Sequence, residues 1–163
     1  MSVRKCCMAV ITLAVLLAAP LHALAAEGAP ADRAMMSALL DRYIAAVNAH
    51  DLATFPAIFT ENYIQHSGRS PSGLAAQTAN FTQILKTWPD IQMQVEDRII
   101  GDDKIVARVT FAATHSQTAL GVAPTGRKIT FRTIDIWRVE GGKLAEHWDL
   151  VDTAGLLKQL KGE

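Results

Sequence analysis

Nothing constrains this chain more than the stretch 134–152, which reads Ile-Asp-Ile-Trp-Arg-Val-Glu-Gly-Gly-Lys-Leu-Ala-Glu-His-Trp-Asp-Leu-Val-Asp. Two alternating apolar and polar runs flank Glu140-Gly141-Gly142-Lys143. The alternation has the period of a strand, and paired glycines supply the positive φ of a tight hairpin turn. One arm then sets Lys143, Ala145, His147, Asp149 and Val151 on one face, with Leu144, Glu146, Trp148 and Leu150 on the other. On the opposite arm, Phe131, Thr133, Asp135, Trp137 and Val139 share a face. Ionisable groups sit among large apolar neighbours on both arms, which is how a polar-lined pocket is written into a sheet.

The rest of the chain supplies partners for this hairpin. Strand patterns run over 91–100, 104–117 and 127–140, with a short one at 63–66. Asp32 can cap a helix in which Met36, Leu39, Leu40, Tyr43, Ile44 and Val47 recur at helical spacing. Asp51 can cap a second, short helix over 52–59, interrupted by Pro56. A third starts at Ser70 or Ser72, carries Leu74, Phe81, Ile84, Leu85 and Trp88, and stops at Pro89. A last helix is predicted over 153–160. Helices first, then hairpin-linked strands, specify an α+β domain with helices on one side of an antiparallel sheet. Such a sheet curls under its own twist, giving a cone-shaped curved sheet wrapped around the amino-terminal helices, with a pocket inside.

Residues 1–26 read as a secretory signal rather than as fold. Arg4 and Lys5 precede an apolar run over 6–19, Pro20 breaks it, and Ala23, Ala25 and Ala26 offer small residues for cleavage after Ala25 or Ala26. The run is shorter than the roughly 20 residues a membrane span needs, although an uncleaved anchor is the alternative. The expected product is a secreted or periplasmic domain over 27–163, with no membrane attachment after cleavage. Cys6 and Cys7 leave with the signal, which excludes disulfide and thiol chemistry. Arg4 and Lys5 leave as well, and the net charge falls from zero to −2. No cluster of Lys and Arg remains to suggest nucleic acid as a partner.

Five polar residues are candidates for chemistry. Asp149 lies late in its strand between Trp148 and Leu150, and is either a pocket carboxylate or a strand-end acid paired with Arg132 or Arg138. Asp135 in mid-strand is costly unless hydrogen-bonded, so it faces the pocket or is locked to an arginine. His115 shares a strand face with Val109, Phe111 and Ala113, where an imidazole near a carboxylate would exchange protons close to neutral pH. His66 ends a strand and either reaches the pocket mouth or is a solvated loop residue. His147 shares the face of Asp149 and is a second polar lining group. Phe111, Trp88, Trp137 and Trp148 are candidates for the wall, but Trp148 alternates against Asp149 and should pack outward. No H-x-H, H-x-x-x-H or C-x-x-C spacing points to a metal, and no Gly-x-Ser-x-Gly elbow to a serine nucleophile.

The run from Asp135 to Asp149, together with His115, the Gly121–Gly126 turn and the Tyr43-Ile-Ala-Ala-Val-Asn-Ala-His-Asp51 helix, resembles the SnoaL-like family of polyketide and ester cyclases. The resemblance covers about residues 33–160. It implies the nuclear-transport-factor-2-like cone, and an acid/base aspartate serving intramolecular aldol closure without metal or organic cofactor. Asp149 matches that aspartate, and His115 matches a pocket histidine. At Asp135 the aromatic polyketide cyclases carry a histidine, so the pocket's donor set differs here.

The reading that results is an exported protein whose hydrophobic pocket performs cofactor-independent acid/base chemistry, of cyclase, isomerase or lyase type, on a small carbonyl-bearing molecule. Asp149 and His115 would be catalytic, with Asp135, His66, His147, Phe111 and Trp137 binding substrate. This requires Asp149 and His115 within hydrogen-bond reach in a walled cavity, and an Asp149 that points to bulk solvent or is locked to an arginine would not be the catalyst. The alternative is a non-catalytic periplasmic small-molecule binder with its polar groups already satisfied. A homodimer is expected through the outer sheet face, where Ile134, Ile136 and Trp148 make an apolar patch.

Overall fold

The computed structural model describes residues 33–163, so the predicted signal segment and the lead to Asp32 lie outside the described residues. Helix α1 (Arg33–Asn48) buries Met36, Leu39, Leu40, Tyr43, Ala46 and Val47, close to the predicted stripe. At its end, the Asn48 side chain donates to the Met93 carbonyl at 3.0 Å and accepts from the Met93 amide at 2.7 Å. Asp51 does act as a cap, accepting from the Ala53 N–H at 3.1 Å, but it opens only a 3-10 turn, Leu52–Thr54. A single helical turn, α2 (Phe55–Ile58), comes next, with Pro56 in its first turn, where the missing N–H is tolerated. Phe59 already belongs to strand β1 (Phe59–Gln65), which begins four residues earlier than the sequence pattern predicts.

Helix α3 (Leu74–Thr87) starts after Gly73, whose φ of 103° suits only glycine. Neither candidate serine caps it; the Ser72 hydroxyl instead accepts from the Gln65 N–H at 3.1 Å. Strands β2 (Gln92–Ile100), β3 (Lys104–Thr114), β4 (Lys128–Glu140) and β5 (Lys143–Val151) follow, and helix α4 (Thr153–Lys161) ends the chain. The β4–β5 turn is the expected one: Gly141 and Gly142 have φ of 56° and 75°. Strand β3 stops at Thr114, whose N–H is taken by the Asp90 side chain, so His115 lies just past the strand.

The sheet order is β1-β5-β4-β3-β2. Strands β2 to β5 pair antiparallel, as the hairpin pattern demands, whereas β1 joins β5 in parallel and makes the sheet mixed. A parallel neighbour needs a long crossover, and here the rest of the domain supplies it. Helices α1, α2 and α3 pack on the inner face, and α4 packs on β4.

Two apolar clusters result. One joins α1, α2, β1 and the sheet around Tyr43, whose ring meets Phe55, Phe59, Phe81 and Trp137. The other gathers Trp88, Ile91, Ala113, Ala119, Ile129, Leu156 and Leu160. Among the described residues, no helix is long and apolar enough to cross a membrane.

Candidate active site

A cavity of about 370 Å³ opens between the two clusters, and its walls come from both. Tyr43, Phe81, Ile84, Trp88, Phe111 and Phe131 are among the apolar residues that line it. The polar groups arrive from five elements: Gln65 on β1, Gln77 and Asn80 on α3, Thr133 and Asp135 on β4, His147 and Asp149 on β5, and Thr153 on α4. Ser67, Arg69 and Ser70 reach the rim from the loop between β1 and α3.

Strand register explains the meeting of the two acids. Across the hairpin Asp135 pairs directly with Asp149, and Trp137 with His147. Like charges opposite one another on a sheet repel, and the two carboxylates are handled separately. Asp135 accepts from the Thr133 hydroxyl and lies 2.9 Å from His147 Nε2. The other imidazole nitrogen, Nδ1, is 3.0 Å from the Gln65 amide nitrogen, and the Gln65 oxygen accepts from the Ser67 N–H at 3.1 Å. That last bond sets every polarity in the chain. The Gln65 NH₂ must donate to Nδ1, so the imidazole proton sits on Nε2 and points at Asp135. The Trp137 indole lies flat beneath His147, at 5.0 Å between centroids.

Asp149 belongs to a different environment. One carboxylate oxygen, Oδ2, is bonded to Nη2 of Arg69. The other, Oδ1, is buried and finds no hydrogen-bond partner among the described residues. The Asp149 side chain is only 4% exposed, whereas that of Arg69 is 54% exposed. Gln77 repeats the pattern on the opposite wall, since it is buried and its Oε1 also lacks a partner among the described residues. Two phenols stand near the acids. Burial first, and the Asp135 charge after it, push the Tyr63 phenol far above its ordinary range. Tyr43 is raised in the same way, by burial, then Tyr63, then Asp135. Both are donors and not bases at neutral pH.

These placements differ from the sequence reading at several residues. His115 is fully buried, but its Nδ1 lies 2.9 Å from the Thr125 hydroxyl and it does not line the cavity. It stands behind Trp88, so the expected contact with Asp149 does not form. His66 turns to the outer sheet face, where it stacks on Trp148 at 4.2 Å and lies 2.7 Å from Glu146. Trp137 supports His147 from beneath and does not reach the cavity. Phe111, Asp135, His147 and Asp149 do line it. Asp149 is paired with an arginine, but with neither candidate: Arg132 is exposed, and Arg138 holds Glu140 and Glu146.

Arg69, Gln77 and Gln65 are the residues that the sequence reading missed. Gln77 had a signal, because it lies on the apolar stripe of α3 with Phe81, Ile84 and Trp88. Arg69 had only a weak one, as the single charge in a loop of Ser, Gly and Pro. Among the described residues, no three of His, Cys, Asp and Glu converge as a metal site would require.

No curated protein matches the sequence. Solved structures do. TsrD from Streptomyces laurentii is 30% identical, with a TM-score of 0.75 over 81% of this chain and 98% of its own. AclR from Streptomyces galilaeus, described as a candidate hydroxylase, is 28% identical, with a TM-score of 0.72 over 80% and 98%. IdmH from Streptomyces antibioticus, described as a candidate polyketide cyclase, is 25% identical, with a TM-score of 0.68 over 77% and 97%. The family model for SnoaL-like polyketide cyclases matches residues 37–160. The chain belongs to the SnoaL-like polyketide cyclase family.

Proposed function

We propose that the protein catalyses cofactor-independent proton transfer next to a carbonyl, leading to ring closure or isomerisation of a small, mainly apolar molecule. Membership of the family points to cyclase or isomerase chemistry. The observation that carries the finer reading is Asp149 Oδ1, a carboxylate oxygen buried in an apolar-walled cavity with no partner among the described residues. A buried carboxylate oxygen without a partner costs stability, so its retention marks a group kept for function. A general base needs such an oxygen free. Pairing with an arginine was expected to remove Asp149 from catalysis, but the bond to Arg69 engages only Oδ2 and leaves Oδ1 available.

In this reading, Asp149 Oδ1 takes a proton from carbon and returns it to the oxygen of the closed ring. Tyr43 and Gln77 orient the substrate's carbonyl groups, and the aromatic walls exclude water. The Thr133–Asp135–His147–Gln65 chain holds the cavity floor, with its own donors and acceptors consumed. We also propose that the protein is exported and works as a homodimer paired through its outer sheet face.

The test uses 2,6-heptanedione, which closes to a cyclohexenone by intramolecular aldol reaction, with proton exchange and ring closure followed by NMR in D₂O. The wild-type protein should accelerate both over buffer. Asp149→Asn should lower the rate by about 10²-fold or more, while the unfolding midpoint stays nearly unchanged. An Asp149→Asn protein with full activity, or a wild-type protein inert toward this and longer diketones, sinks the reading.

A further inference from the structure

Arg69 is the one permanent cation among the cavity-lining residues, it is bonded to Asp149, and Asp135 lines the same cavity. Its position is built. The Gln65 backbone N–H donates to Ser72 Oγ at 3.1 Å, the Gly73 N–H donates to the Tyr63 carbonyl at 2.6 Å, and the Ser67 N–H donates to the Gln65 side chain. These bonds pin the loop at both ends. Only Nη2 of the guanidinium is engaged among the described residues. A guanidinium carries five donors in a rigid fork, so the remaining ones are free to bind a second anion beside Asp149.

We infer that Arg69 is a catalytic residue, the electrophile that receives the enolate oxygen formed when Asp149 takes the substrate's proton. The inference rests on the proposed role of Asp149 and adds to it the class of substrate: neutral ketones whose enolate presents one anionic oxygen next to the proton being removed. The step balances without a co-reactant. The C–H bond breaks, the proton passes to Asp149 Oδ1, and the electron pair passes to the carbonyl oxygen as an enolate. Before the step, the guanidinium neutralises the carboxylate. After it, Asp149 is neutral and the same guanidinium faces the enolate.

The negative charge therefore moves between two oxygens near one fixed cation, which needs little reorganisation. In the resting protein the pair also disfavours acidic substrates, because Asp135 and Asp149 outnumber the single cation. The Arg69–Asp149 contact is thus the resting form of the site.

An equilibrium measurement separates this from the role of Asp149, because it involves no turnover. The probes are 4-nitrophenolate, an enolate-like anion, and 4-nitroanisole, its neutral analogue, with binding followed by absorbance and calorimetry. Asp149→Asn mimics the carboxylate after it has taken the proton. It should bind 4-nitrophenolate at least about tenfold more tightly than wild type, since the like charge is gone and Arg69 is released.

Adding Arg69→Met should abolish that gain, Arg69→Lys should keep part of it, and 4-nitroanisole should bind all four proteins alike. The inference is overturned if the double variant binds phenolate as Asp149→Asn does, if Asp149→Asn binds none, or if Arg69→Met weakens both probes equally. That last outcome makes Arg69 merely structural. Asp149 could still be the base in each of these cases, and it fails separately if Asp149→Asn keeps its turnover.

Discussion

Asp135 and Asp149 face one another across a single rung of the sheet, yet only Asp135 has both oxygens occupied. The difference predicts an order of effects. Thr133→Val removes a donor to a buried charge and should cost about 1.5–3 kcal/mol. Asp135→Asn should cost less, because the Thr133 hydroxyl can turn round and accept from the new amide. Urea denaturation of the two variants checks this, and the reverse order would show that the Thr133 hydroxyl does not govern Asp135. On the other wall, Gln77→Leu replaces an unpaired buried amide with an apolar isostere. It should raise the melting temperature while weakening ketone binding, the trade expected of a functional polar group. A lone glutamine on the apolar stripe of α3 was therefore readable in advance as a site residue. Arg69 was not, since only tertiary structure shows that a Ser/Gly loop returns to a strand eighty residues further on.

Elements are held together by a few polar ties whose strength depends on pH. Asp90, in the turn before β2, has its carboxyl pulled down to about 2, first by the Thr114 hydroxyl, then by the Thr114 N–H, and further by Lys128. A carboxyl depressed in the folded state stabilises it above the ordinary pKa near 4, and that contribution is lost as pH falls from about 4 to about 2. Asp90→Asn should flatten the acid side of the stability curve in that window, as read by denaturation at stepped pH. The same tie explains a limit of sequence reading. Alternation runs on past Thr114, so the strand pattern extends to 117, but Asp90 takes the Thr114 N–H on the β2 side and the chain turns where the Ser116 N–H donates to the Thr114 carbonyl. The β4–β5 hairpin was legible because its glycines and its alternation agree. The parallel pairing of β1 was not, because no local signal says which edge a strand will join.

On the scale of the molecule, the outer sheet face is the counterpart of the cavity. The β-register lines up Ile99, Val106, Ile136 and Trp148 across four strands, beside a second row of Arg108, Ile134 and Leu150. Leu150 and Ile99 are 76% and 66% exposed. Sedimentation should find a dimer, and Leu150→Glu should dissociate it while the far-UV spectrum stays unchanged; a monomeric wild-type protein would refute the pairing. The β1–β5 pairing has a temporal consequence. Gln65 and Arg69 meet His147 and Asp149 across about half the chain. His147 and Asp149 both lie on β5, so the polar wall of the cavity is complete only when that last strand has docked. A nascent chain therefore lacks its proposed base until almost its entire length is free to fold, and competence for catalysis arrives last.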